Sequence, residues 1–158
     1  MKHETRLTPF MRAVALFIAL VVPLGTAPVN LNAAIFTWDA TGVAGAGSDG
    51  LGTWETTITN TNWYNGAANV SWVDGNDAVF GVGGTAGVVT LATAITTGSI
   101  TFNTVSSGNY TISPALAQAL TINGNAGVGI VANDSATITA DVILGGAQSW
   151  TTAAGELL

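Results

Sequence analysis

The chain has 158 residues, is 48% hydrophobic and only 8% charged, and contains no cysteine. A soluble domain is usually about a quarter charged, and disorder needs low hydrophobicity with high net charge, so the polar surface of this chain must come from Thr, Asn, Ser and Gly, the residues of strands and turns. The three cations and the single histidine (Lys2, His3, Arg6, Arg12) all lie in the first twelve residues. Eight acids follow: Asp39, Asp49, Glu55, Asp74, Asp77, Asp134, Asp141 and Glu156. This balance argues against nucleic acid and against an anionic bilayer as partners. The missing cysteine removes thiol nucleophiles and thiolate metal sites.

Residues 1–34 read as an export signal peptide. Lys2, Arg6 and Arg12 form a basic start, and Ala13 to Leu24 is an apolar run of twelve interrupted by Pro23. A spanning helix needs about 20 apolar residues, whereas a signal core runs about 7–15. Ala33-Ala34 offers a cut before Ile35, with Gly25-Thr26-Ala27 as a second candidate. The expectation is a secreted or outer-surface protein that meets the export machinery through residues 1–34 and has no membrane insertion in its mature part.

Residues 35–86 form an aromatic and glycine-rich module. Phe36, Trp38, Trp54, Trp63, Tyr64, Trp72 and Phe80 crowd together, separated by turn signals such as Asn65-Gly66 and Asp74-Gly75-Asn76-Asp77. Strands are predicted near 35–38, 53–58, 70–73 and 78–80, with a hairpin turn at Asn65-Gly66. Two readings of the aromatics stand side by side. They can plug the open end of a repeat array, which needs atypical termini. Alternatively, Trp54, Trp63 and Trp72 can form a sugar-stacking face, because indole rings offer broad apolar surfaces.

Two acidic loops bear on calcium. Residues 44–52 partly match a calcium-binding nonapeptide through Gly45, Gly47, Asp49 and Leu51. Asp74-Gly75-Asn76-Asp77 carries hard oxygen ligands but lacks the EF-hand spacing. Asp49, Asp74 and Asp77 are thus the candidate metal ligands, set against the plainer reading of solvated Asx-turns. No cofactor other than calcium is suggested.

Residues 87–158 form a repeat array. Apolar–polar–apolar triplets begin at Val89, Ile100, Tyr110, Leu120, Gly129 and Ile138, in steps of 11, 10, 10, 9 and 9. Neighbouring side chains in a strand face opposite ways, so Ile100 and Phe102, Tyr110 and Ile112, and Leu120 and Ile122 each mark an apolar face. The run from Ala136 through Ile138, Ala140 and Val142 to Leu144 marks another. The fold class expected is all-β: a right-handed parallel β-helix or similar β-solenoid with two or three strands per coil. A β-sandwich, with turns every 8–12 residues, is the alternative. The similarity of the triplets, the Asn and Gly corners (Asn103, Asn109, Asn123, Asn125, Asn133) and the scarcity of charge favour the solenoid.

The ordered pieces Phe36-Thr37-Trp38-Asp39, Gly52-Thr53-Trp54, Asn62-Trp63, Asp77-Ala78-Val79-Phe80-Gly81, Gly87-Val88-Val89-Thr90-Leu91 and Gly98-Ser99-Ile100-Thr101-Phe102-Asn103 resemble the passenger region of autotransporter-associated β-strand repeat proteins. Tyr110-Thr111-Ile112 and Leu120-Thr121-Ile122 continue the likeness, which covers about residues 35–151. The resemblance implies an exported β-helical passenger with adhesive or structural work and no shared catalytic residues. Two features depart from it. The family's Gly-Thr-Leu-Thr-Leu strand with an Asn-Thr-Tyr-x-Gly turn is absent, and so is a C-terminal barrel of alternating strands. A truncated reading frame is the expectation from that.

After residue 34 there is no His, Lys, Arg or Cys, which removes the usual general bases, the catalytic triad and Schiff-base chemistry. Asp74 with Asp77 is the one close carboxylate pair of the kind glycoside hydrolysis uses. The chain is therefore expected not to be an enzyme. Its expected work is that of a structural or adhesive surface passenger, the alternative being a carbohydrate-binding module. Extracellular glycans or cell-surface components are the partners these two readings imply.

Overall fold

The computed structural model of this protein describes residues 33–43 and 45–158. The basic start, His3 and the apolar run of the expected signal peptide lie outside the described residues. Within them the chain is all-β, with one 3-10 turn at Asn125–Gly127. Parallel strands stack into a β-solenoid of about three turns.

Each full turn contributes one strand to each of three sheets. The turns are β5 (Asp77–Phe80), β6 (Val88–Leu91) and β7 (Ile95–Thr97), then β8 (Ile100–Phe102), β9 (Tyr110–Pro114) and β10 (Ala119–Ile122), then β11 (Val128–Ala132), β12 (Ala136–Ile138) and β13 (Asp141–Leu144). Before them come β1 (Ile35–Trp38) and β2 (Gly52–Trp54), and after them β14 (Ser149–Thr152). The first sheet carries β14-β11-β8-β5-β1 in parallel, the second β12-β9-β6-β2, and the third β13-β10-β7. From Ile100 onward the nine- or ten-residue step of the triplets is therefore the step from one sheet to the next, whereas the eleven residues from Val89 to Ile100 pass over β7.

In-register stacking brings like residues over like. Phe36, Ala78, Ile100 and Ile130 form one interior row. Phe80, Phe102 and Ala132 form another, with the two phenyl rings stacked 5.4 Å apart. Val89 lies over Ile112, and Ile95 over Leu120. All of these are buried. Each row fills a narrow interior that no single turn could close by itself, which is why a solenoid gains its stability from neighbour contacts.

The parallel ladder continues into the aromatic module with no break at residue 86. Beyond β1 the first sheet switches direction: β3 (Trp63–Tyr64) pairs antiparallel with β1, and β4 (Asn69–Val70) with β3. The predicted hairpin at Asn65-Gly66 forms, with a loop over residues 65–68. Strand does not extend through 55–58 or 71–73, as the predicted ranges would have it.

Two other details depart from the sequence reading. The run 136–144 is two strands on two sheets, with the corner at Thr139 and the buried Ala140. The Asn corners supply no positive φ, since Ala126 is the sole non-glycine residue with one among the described residues. Glycines take those positions, while Asn side chains bridge turns, as Asn133 Nδ2 does to Asn103 Oδ1 at 3.2 Å.

Candidate functional site

The aromatic module closes the N-terminal end of the solenoid. Trp54, Trp63 and Trp72 are 0%, 1% and 2% exposed, with Trp38 beside them at 1%. Trp63 sits 4.9 Å from Trp54 and 4.6 Å from Trp72 between ring centres, and Phe80 joins at 5.4 Å. Edge-on and tilted contacts dominate, as the ring quadrupoles prefer. Of the two readings, the sugar-stacking face of Trp54, Trp63 and Trp72 is the alternative, and it does not form, because those rings are buried in the plug.

A magnitude explains that choice. Burying an indole removes roughly 150–250 Å² from water, worth on the order of 4–6 kcal/mol by area. Trp38 and Trp72 keep their N–H groups bonded, to the Gly50 carbonyl at 3.1 Å and to Asp74 Oδ1 at 3.0 Å. The Nε1 atoms of Trp54 and Trp63 have no hydrogen-bond partner among the described residues. Each orphaned N–H costs about 1–3 kcal/mol, less than the ring gains by leaving water.

The carboxylates of the candidate metal loops point to separate places. Asp49 accepts from the Val82 N–H (3.0 Å), the Gly84 N–H (2.6 Å) and the Tyr110 hydroxyl (2.6 Å). It thereby ties the loop before β2 to the β5–β6 corner and to β9. Asp74 accepts from the Thr96 N–H and the Trp72 indole, both at 3.0 Å. Asp77 accepts from Ser99 Oγ at 2.9 Å and Asn125 Nδ2 at 3.0 Å, which links three successive turns. Asp74 thus reaches the third sheet while Asp77 serves the first. Among the described residues no three acidic side chains gather to share a metal ion.

Sequence reasoning passed over the most buried acid. Asp39 is 1% exposed and accepts from the Thr41 N–H and hydroxyl, the Ser48 hydroxyl and Asn69 Nδ2. Burial pushes its carboxyl up, but the hydrogen bonds from Ser48, Thr41 and Asn69 outweigh this and hold its pKa below the ordinary value. The available signal was Asp39-Ala40-Thr41, since Asp with a hydroxyl two residues on is a common Asx-turn. Tyr110 shifts the other way. Burial, then the hydrogen bond from its hydroxyl to Asp49 and that carboxylate's charge, raise its pKa well above the ordinary tyrosine range.

Seven of the eight carboxylates beyond residue 34 thus accept hydrogen bonds inside the protein. Asp134 receives the Val105 N–H, Glu55 receives Asn60, Glu156 receives Ser135, and Asp141 is the one without such a bond among the described residues. Fold and site together define a β-solenoid with an aromatic plug and carboxylate ties between turns. Compared with known proteins, the chain matches no family model, no curated protein and no solved structure.

Proposed function

We propose that this chain is a non-catalytic passenger, exported to the cell surface or medium, with structural or adhesive work. That is the role implied by its likeness to autotransporter-associated β-strand repeat proteins. The observation that carries the reading is where the acids go. With no cation after Arg12, carboxylates are the main groups left for acid–base chemistry, and seven of eight accept hydrogen bonds within the protein, five of them (Asp49, Asp74, Asp77, Asp134 and Glu156) from a neighbouring turn. A general acid or base must have its proton free to exchange with substrate. The buried tryptophans withdraw support from carbohydrate binding by stacking.

Export is tested by expressing the full chain in a Gram-negative host, fractionating the cells and sequencing the N-terminus of the product. A mature protein starting at Ile35, and cut by protease added to intact cells or recovered from the medium, is expected. Cytoplasmic protein retaining residues 1–34 overturns export. Adhesion is read by coating beads with the purified protein and counting those retained on cells. Hydrolysis of a glycan panel that disappears in Asp74→Asn or Asp77→Asn would overturn the non-catalytic assignment.

A further inference from the structure

Two Asn-Gly pairs occur in the described residues, Asn65-Gly66 and Asn123-Gly124. Both asparagines are exposed, so solvent access does not separate them. Their backbones do. The Gly124 N–H donates to the Gly98 carbonyl at 2.8 Å, and the preceding Asn123 N–H donates to Thr97 at 2.9 Å. That pair is held inside the rung-to-rung ladder. The Gly66 N–H makes no hydrogen bond among the described residues, and a Cβ built on Gly66 would meet nothing within 4 Å.

The Asn65 side chain is also set differently. Its Oδ1 accepts from the Ala67 N–H at 3.0 Å and the Ala68 N–H at 2.9 Å. These two donors draw electron density from Asn65 Cγ. An amide nitrogen with no hydrogen bond among the described residues thus follows a residue whose side-chain amide carbon is polarised.

We propose that Asn65 is a site of spontaneous deamidation and isomerisation in the folded protein, with water as co-reactant, and that Asn123 is protected. The Gly66 nitrogen attacks Asn65 Cγ. A C–N bond forms, the Cγ–Nδ2 bond breaks, and the nitrogen's proton leaves through solvent as ammonia departs. Water then opens the cyclic imide at either carbonyl, leaving aspartate or isoaspartate at position 65. No oxidation or reduction occurs. The isoaspartate form adds a methylene to the main chain between β3 and β4, at the hairpin that carries the buried Trp63.

The test is incubation of the full chain in mildly alkaline heavy-oxygen water, followed by proteolysis and mass spectrometry of the peptides holding residues 65 and 123. The same incubation in concentrated urea gives the unfolded reference. In the native chain label is expected at 65, at least about tenfold faster than at 123, because Gly124 must first break its ladder bond. In urea the two sites should react at similar rates. Asn65→Gln, shown to be folded by circular dichroism, should lose the label at 65 and keep the protection of 123. Native labelling at 123 as fast as at 65 overturns the proposal. So does an unlabelled native Asn65 when the urea sample has reacted to completion.

Discussion

Tyr110 and Asp49 stand 61 residues apart in the chain and 2.6 Å apart in the fold. The Tyr110→Phe change removes a hydrogen bond to a charged acceptor, which typically contributes about 1.5–3 kcal/mol, and leaves Asp49 its two backbone donors. Urea unfolding should show a loss of that order. The pH dependence carries a sign. Folded Tyr110 keeps its proton above the ordinary value of 10.0 at which an unfolded tyrosine loses it. The unfolded state then binds fewer protons, so stability falls as pH rises past that value. Tyr110→Phe should flatten this alkaline limb in thermal melts. Asp39 behaves oppositely. Its folded pKa lies below the ordinary 3.8, so its contribution is present above that value and lost as pH falls through the folded one. Asp39→Asn should flatten the melting-temperature curve as pH falls below 3.8. At this scale the sequence was legible in part. Asp49 drew notice as a possible ligand, but its hydroxyl partner came from a strand two turns away. The donors that occupy it could not be read from local spacing.

Among the elements, β7 (Ile95–Thr97) escaped the triplet reading because it is Ile-Thr-Thr rather than apolar–polar–apolar. Thr97 is fully buried nonetheless, its hydroxyl within 2.9 Å of the Asn76 carbonyl and 2.8 Å of the Ser99 carbonyl. A buried threonine satisfied by corner carbonyls does the work of an apolar side chain, and periodicity alone misses it. The corner after β5 gives a sharper test. Gly81 and Gly83 both have positive φ, 95° and 92°, so alanine at either incurs left-handed strain of roughly 1–2 kcal/mol. At Gly83 a Cβ meets nothing within 4 Å, whereas at Gly81 it runs into the backbone of Asn103 on the next turn. Gly81→Ala should therefore lower the urea midpoint clearly more than Gly83→Ala. Equal losses would mean that turn-to-turn approach does not constrain this corner. In the plug, Trp63→Ala should cost about 3–5 kcal/mol, since that ring touches Trp38, Trp54, Trp72 and Phe80.

For the whole molecule, burial falls from one end of the described solenoid to the other. Trp38, Trp54 and Trp63 are sealed at the plugged end, while Ile143, Leu144 and Trp150 on β13 and β14 are 52%, 61% and 45% exposed. Nearest-neighbour stacking makes stability local along such an array. Hydrogen exchange should release the amides of β13 and β14 first and those of β5 and β8 last; uniform protection would mean the turns open as one unit. The sequence by itself determined that the chain is all-β, that its strands recur every ten residues or so, and which faces are apolar. Those properties are local, set by alternation and by turn residues a few positions away. Only the tertiary structure decided which strands pair, because a ladder joins residues some 22 positions apart, as Ala78 and Ile100 are, and spacing admits a sandwich equally well. Tertiary structure also decided the fate of the tryptophans and the acids. A tryptophan that stacks on a sugar and one that seals a core look alike in a sequence, and burial separates them. A carboxylate becomes a ligand or a tie according to the donors that packing brings to it.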